Sequence, residues 1–468
     1  MQNELSPKTK KLLVLILIVG CFFSTLNQTL LNVALSELMQ IFQVTPATIQ
    51  WLATGFMLVN GVLVPITAYL MKRFSTRQMF MSSMVFLFIG SVLAACAQNF
   101  GMLLAGRMIQ AAGAGIILPL MMTVIVYLYP AEQRGAIMGK MGFAIIFAPA
   151  IAPTVGGFIL EYLSWRYLFI MMIPISAAII VLALKYMINI EEGSKLSLDL
   201  TSVLYSTIGF GAVLYGFSSA GSRGWGDWLV LTSIIVGIVS IALFSRRMLA
   251  SAQPLLNLRV FSYKMFTMTS IINITITILM YADLILLPIY LQDGRGFNAF
   301  EAGLILLPAA IINAFLSPVT GKLFDRFGAK PLFLIGTALI ALSMLLVIDL
   351  STTMSVPYLI IRTIVLRVGL AFITMPLNTA ALNALPRELA SHGSAVNNTV
   401  RQLAGAIGTA VIITIYTMQL SHVDITTNEG FATAAGSTYI WMLGLAILSI
   451  IIALFVPNKV EKSNSSVE

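Results

Sequence analysis

Gly321-Lys322-Leu323-Phe324-Asp325-Arg326-Phe327-Gly328-Ala329-Lys330 is a short charged stretch between two apolar runs, 302–321 and 331–350. Ala68-Tyr69-Leu70-Met71-Lys72-Arg73-Phe74-Ser75-Thr76-Arg77 joins runs 48–70 and 78–98 in the same way, and from 68 to 321 the offset is 253. Two further pairs keep that spacing. Arg107 and Arg362 are 255 apart, with Arg367 as a competing partner, and Asn27 and Asp283 are 256 apart. Offsets that agree within three residues, across a loop and two apolar runs, mark a chain whose later part repeats its earlier part.

The repeat belongs in a membrane. Of 468 residues, 59% are hydrophobic and 10% charged, and the mean hydropathy is +0.95, beyond what a chain with a water-facing surface shows. Fourteen apolar stretches, each long enough for a bilayer-spanning helix of ~20 residues, lie near 12–34, 48–70, 78–98, 101–128, 136–160, 165–188, 199–219, 228–250, 265–291, 302–321, 331–350, 355–380, 396–419 and 435–457. Lys and Arg collect on the cytoplasmic side of short connections. With the amino terminus inside, 21 of the 27 fall on inner segments, including Lys195, Lys459 and Lys462. Three fall on outer loops (Arg166, Arg223, Arg295) and three within apolar runs (Arg107, Arg362, Arg367). A missed or invented span would destroy that asymmetry, so both termini are expected in the cytoplasm. The net charge of +9 then reports topology and gives no reason to expect a nucleic-acid partner. Lys8, Lys10 and Lys11 precede a full-length run, which reads as a first span rather than a cleaved signal.

The expected fold class is all-α: an integral membrane protein of 14 transmembrane helices. A six-helix bundle would occupy 1–188, two inserted helices and linkers 189–264, and a second six-helix bundle 265–457. A polar, Ser-rich cytoplasmic tail, expected to be disordered, would occupy 458–468.

One carboxylate breaks the pattern. Asp283 sits inside the apolar run Met265 to Leu291, whereas every other acidic residue falls in a loop, in a tail or near the end of a run. An ionisable group at that depth is a functional candidate, because small movements of nearby charge can switch its protonation. At ~1.5 Å per residue, Asp283 lies roughly 12 Å from the outer end of its span, Arg107 roughly 9 Å and Arg362 roughly 12 Å from the outer starts of theirs. A common depth is therefore expected. Asp283 is expected to carry a proton; the alternative is a permanent buried pair with Arg362 that holds two helices together. Arg107 either tunes that acid or caps backbone carbonyls. Arg401 opens a run and is expected to snorkel to the interface.

Enzymatic readings fare badly. His392 and His422 lie in or beside loops and read as solvated, and Cys21 and Cys96 read as small buried hydrophobes. No cluster has metal-ligand spacing, and Gly321-Lys322 lacks the rest of a phosphate-binding loop. No enzyme activity, metal or cofactor is expected.

These residues resemble the major facilitator superfamily and, within it, the fourteen-span drug:proton antiporters of EmrB/QacA type. The resemblance covers the whole chain. Gly321 to Lys330 matches the signature Gly-x-x-x-Asp-Arg-x-Gly-x-Lys, and Arg107-Met108-Ile109-Gln110 with Gly113 and Gly115 is similar to the fourth-span motif. Leu287-Pro288-Ile289-Tyr290-Leu291-Gln292 followed by Ala302-Gly303-Leu304, and the first-span Leu26-Asn27-Gln28-Thr29 with Asn32-Val33-Ala34-Leu35, also match. Pro149 with Ala152-Pro153-Thr154-Val155-Gly156-Gly157 resembles the exporter motif.

The resemblance implies that Asn27, Arg107, Asp283 and Arg362 surround a central cavity, with Asp283, Arg107 and Arg362 coupling protons. Asn27, Gln28, Gln110 and Tyr281 would line the substrate cavity. Gly321, Asp325, Arg326 and Gly328 would gate the inner loop, and Pro149, Pro153, Gly156 and Gly157 would give a bent, tightly packed fifth helix, or act in packing alone. Three departures stand out: Asn27 for the usual Asp, Lys72 and Ser75 for Asp and Gly in the earlier loop, and Ala152 for Gly. The implied function is proton-coupled multidrug efflux of amphipathic or lipophilic compounds across a bacterial inner membrane, with one proton per cycle. The partners implied are the lipid bilayer, protons and amphipathic small molecules; oligomeric state stays open. The alternatives are a proton-coupled importer of a small organic solute and a non-transporting receptor or assembly protein.

Overall fold

The computed structural model describes residues 6–49, 51–190, 199–251, 254–297, 299–423 and 427–457. Lys195, Lys459, Lys462 and the expected tail 458–468 lie outside them. The described residues form helices and connections without a strand. The long helices are α1 (Pro7–Phe42), α2 (Trp51–Arg73), α3 (Thr76–Ala95), α4 (Phe100–Leu128), α5 (Ala131–Tyr162), α6 (Tyr167–Tyr186), α7 (Leu200–Arg223), α8 (Trp228–Ala250), α9 (Lys264–Ile289), α10 (Ala299–Phe327), α11 (Ala329–Leu345), α12 (Val356–Asn383), α13 (Ala390–Leu420) and α14 (Asn428–Leu454).

Thirteen of the described helices are long and apolar enough to cross a membrane. The remaining one, α11, has 17 residues, or roughly 26 Å at 1.5 Å per residue, a little short of a hydrocarbon core. It packs antiparallel on α12, where Ser343 meets Arg362 and Gly336 meets Gly369.

Short polar connections set sharp helix starts. Ser75 caps α3 in a capping box with Gln78, and Asn99 accepts from Met102 N at the start of α4. At the matching point of the later loop, Gly328 precedes α11 with φ 82°, a conformation that side chains disfavour. The Ser-for-Gly departure in the earlier loop is thus a change of turn: one loop enters its helix through a side-chain cap, the other through a positive-φ glycine.

Both parts of the chain reuse one crossing. A Cβ on Gly90 of α3 would lie 2.6 Å from the Gly106 carbonyl of α4, and one on Gly336 of α11 would lie 2.8 Å from the Gly369 carbonyl of α12. Small residues let these backbones touch. One apolar core is drawn from α9 to α14, and two others from α1 to α6, joined by Met375, Leu382 and Ala390.

The two groups meet along two seams, α5 against α10 and α2 against α13. Helix α7 sits over the second seam and touches both α2 and α13, while α8 backs α7 through Gly209, Gly216 and Gly237. Trp51 stacks on Tyr215 at 5.9 Å, Gly61 receives Leu214, and Trp225 Nε1 donates to Thr414 Oγ1.

Asp199 caps α7 and pairs with Arg247 of α8 at 2.7 Å. The hydrogen bond from Arg247 holds the Asp199 carboxyl below its usual range, at about 2. A lowered folded value means stabilisation present above the ordinary carboxylate value of about 4 and lost as pH falls through about 2. Both side chains are more than a third exposed, so screening keeps the effect small. Asp199→Asn, which keeps the cap, should lower the melting temperature at neutral pH by no more than about 2 °C. Melting curves across that acid window would show the pair's contribution in wild type only; a larger drop would mean that Asp199 does more than pair.

Three expectations need correction. Helix α13 begins at Ala390, earlier than the apolar run at 396, because a polar opening turn is buried between helices instead of being solvated. His392 is therefore 2% exposed, and its Nδ1 accepts from Asn257 N at 3.2 Å. For the same reason Arg401 lies inside the helix, half-buried, donating to Asn398 Oδ1 at 2.9 Å. Cys96 ends α3 at an exposed position, whereas Cys21 is buried as expected.

Candidate functional site

Asp283 faces the interior of its own helix group, 2% exposed. Arg362 Nη1 donates to Asp283 Oδ1 at 2.5 Å, and the Tyr439 hydroxyl donates to the same oxygen at 3.0 Å. Arg362 is held from its far side: Nε donates to Ser343 O at 3.1 Å, Ser343 Oγ donates to Arg362 O at 3.3 Å, and the guanidinium lies 4.9 Å from the Tyr439 ring centroid. Three helices, α9, α12 and α14, thus converge on one carboxylate. Arg362 rather than Arg367 is the partner. In this state the acid and base form the closed pair that stood as the alternative to a free proton carrier.

Arg107 does not join them. Its Nη1 donates to Asn27 O at 3.2 Å and Gln110 Oε1 at 2.9 Å, its Nη2 to Gln28 O at 3.4 Å, and its guanidinium lies 4.4 Å from the Phe56 ring centroid. Gln110 is held by Ser91, whose hydroxyl accepts from Nε2 at 2.9 Å. Asn27, Gln28, Arg107 and Gln110 are therefore one cluster in the earlier helices. Equal depth did not imply contact, because each arginine packs within its own helix group. Tyr281 lies on a different face, its ring against Gly405 of α13.

The end of the bundle that carries the amino terminus and most basic loops is closed. Asp325 accepts from Gly135 N at 2.8 Å and Ala136 N at 2.7 Å, so its carboxylate is set on two backbone amides of the second turn of α5. A Cβ on Gly321 would lie 2.1 Å from the Gly135 carbonyl oxygen. Ser317 donates to Gly139 O at 3.1 Å, Arg134 to Asn383 Oδ1 at 2.7 Å, Tyr127 to Arg387 O at 3.0 Å and Ser394 to Pro119 O at 3.1 Å. Arg326, expected beside Asp325 in the gate, is exposed and stacks on Phe327 at 5.1 Å. Helix α5 runs unbroken through Pro149 and Pro153. A Cβ on Gly156 would lie 3.3 Å from Val33 of α1, whereas one on Gly157 would meet nothing within 4 Å, so only one of the two glycines serves close packing.

Sequence reasoning missed two features. Tyr439 had one available signal, a phenol inside an otherwise apolar run. The cluster of Phe143, Phe147 and Phe315 had none, because rings 5.2 to 6.4 Å apart across α5 and α10 come together only in the fold.

Long apolar helices in two groups, closed upon each other at one end and holding charges in their interiors, define a membrane transporter fold. The chain matches the Major Facilitator Superfamily over residues 17–409 and belongs to it. It is 44% identical over 417 residues to the MFS-type transporter YhcA of Bacillus subtilis (strain 168), covering 89% of this chain and 78% of that one. It is 41% identical over 410 residues to the lincomycin resistance protein LmrB of the same organism, covering 87% and 85%. Among solved structures, the human organic anion transporter MFSD10 matches with a TM-score of 0.71 at 13% identity, covering 96% of this chain and all of that one, a likeness of fold alone.

Proposed function

We propose that the chain is a fourteen-span drug:proton antiporter of EmrB/QacA type that exports amphipathic or lipophilic compounds from a bacterial cell. The buried Asp283 inside a transporter fold carries this reading, and the similarity to a lincomycin resistance protein supports the direction of transport. Helix α11 would be the fourteenth span, and the bundles 1–188 and 265–457 would rock about the substrate. Both termini would be cytoplasmic, which makes the closed basic end the cytoplasmic one.

Asp283 is then the proton carrier. Ionised, it is clamped by Arg362 and Tyr439. A proton arriving from outside neutralises it and frees the guanidinium, which keeps its Ser343 anchor. Inward opening returns the proton to the cytoplasm and the clamp re-forms. A proton crossing 100 mV supplies ~2.3 kcal/mol, enough for roughly fifty-fold accumulation of a neutral substrate, while one-for-one exchange of a monovalent cation draws only on the pH gradient.

The direct test is the proton pulse on adding substrate to proteoliposomes. Antiport moves protons against the substrate; a pulse in the same direction would make the chain an importer. Tyr439→Phe deletes one hydrogen bond to the carboxylate, worth about 0.5 to 1.5 kcal/mol. Initial rates of proton-driven transport should therefore fall roughly two- to tenfold. A variant at wild-type rate would remove Tyr439 from the coupling site.

A further inference from the structure

We propose that Asn27 and Arg107 form a subsite for one negative charge, either a substrate carboxylate or a chloride ion. The proposal rests on the transporter reading only in its substrate form. Arg107 is 1% exposed, and among the described residues no carboxylate pairs with it. Its neighbours are two backbone carbonyls, the Gln110 amide oxygen and the face of Phe56. Carbonyl dipoles satisfy hydrogens but leave the positive charge unbalanced, and buried charge without a counter-charge is costly.

Two polar atoms in this cluster are buried without a partner, Arg107 Nε and Asn27 Nδ2. Both are donors. A site with a fixed positive charge and two unspent donors, where the carbonyls of Asn27 and Gln28 and the Gln110 amide oxygen already accept from Arg107, is complementary to an anion. The surroundings are pre-arranged for it: Gln110 is fixed by Ser91, whose own hydroxyl is bonded to Leu87 O at 2.6 Å, and Phe56 covers the guanidinium face.

The later half of the chain shows the same pattern filled. There Asp283, at the place that Asn27 holds in the repeat, supplies the negative oxygen to Arg362 at 2.5 Å. In the earlier half the amide nitrogen of Asn27 supplies a donor instead, and among the described residues no carboxylate answers the Arg107 charge, which leaves the place open to an anion from outside the chain. Because both free donors are sealed from solvent, an occupant is dehydrated and selection by charge is strong.

The experiment uses purified full-length protein in detergent. Binding of 1-pyrenebutyrate and its neutral carboxamide is measured by fluorescence anisotropy in gluconate buffer, and melting temperature is compared in chloride and gluconate. Wild type should bind the carboxylate at least about tenfold more tightly, or about 1.4 kcal/mol, or melt several degrees higher in chloride. Asn27→Asp places an internal carboxylate beside Arg107 and should reduce both differences to near nothing. Asn27→Ala, which keeps the charge and loses one donor, should retain a weakened preference and guards against misfolding of the first variant. A probe preference without a chloride effect assigns the site to substrate carboxylates; a chloride effect without a probe preference assigns it to the inorganic ion. Equal probe affinities with no chloride effect in wild type would overturn the proposal, as would differences that survive Asn27→Asp. Failure of proton-driven transport alone would leave the chloride measurement standing, which separates the two claims.

Discussion

Asp283→Asn is expected to abolish proton-driven transport, lowering the initial rate by at least about a hundredfold, the usual loss on removing a proton-transfer group. The substitution keeps the size of the side chain and leaves an amide oxygen that can accept from both Arg362 and Tyr439. It cannot take up and release a proton. Removing the charge leaves Arg362 buried without a counter-ion, a change that costs about 3 to 5 kcal/mol where a buried pair is broken outright. Here the Ser343 carbonyl and the Tyr439 ring still hold the guanidinium, so the chain should fold with a lowered melting temperature. Efflux of a fluorescent lipophilic cation and of a neutral dye from proteoliposomes, driven by an imposed pH gradient, reads the coupling. Proton-independent substrate exchange reads binding. Exchange without gradient-driven accumulation is the expected pattern; accumulation at the wild-type level would reduce Asp283 to a tie between helices.

Gly321→Ala should shift the protein away from the state closed at the basic end. The added Cβ would meet the Gly135 carbonyl oxygen at 2.1 Å and the Gly139 Cα at 3.1 Å, and backbone on both sides cannot step aside as a side chain would. Overpacking of this kind costs about 1 to 3 kcal/mol, and that cost falls on the closed state alone. A shift of roughly five- to a hundredfold in the closed-to-open ratio follows, with transport down by tenfold or more. Spin labels at the exposed positions 133 and 322, one on each side of the seam, should report longer separations than in the parent protein. An unchanged distance distribution would mean that the Gly135–Gly321 contact is not what closes this end.

Much of the architecture was legible in the sequence because a membrane helix announces itself by apolar length. The long runs became long helices, with α11 the shortest. The motif around Asp325 was legible because it concentrates a helix end, a charge and a positive-φ glycine in ten residues. Boundaries failed where burial between helices replaced burial in lipid, as at His392 and Arg401, whose polar neighbours broke the hydropathy signal without breaking the helix. Of the candidate site, Asp283 and Arg362 were legible through the repeat. Their third partner, Tyr439, lies on a helix that the repeat did not single out. The expectation of one site containing both Arg107 and Arg362 treated depth as if it were proximity. The fold instead keeps Arg107 and Arg362 in separate polar clusters, one in each helix group, and gives the acid to only one of them.

The helix laid over the α2–α13 seam has a mechanical consequence. A strut fastened to two bodies that rotate apart must slip on one of them. On α2 the fastening of α7 is a run of smooth apolar faces, Gly61 beneath Leu214 and Trp51 flat on Tyr215, which tolerate sliding. On α13 the hairpin is pinned by the directional bond from Trp225 to Thr414. In the proposed rocking of the two groups the hairpin would travel with the later half, so that the α2–α13 seam would act as a hinge with a guide rail and the α5–α10 seam, which no such strut spans, would be the side on which the door swings.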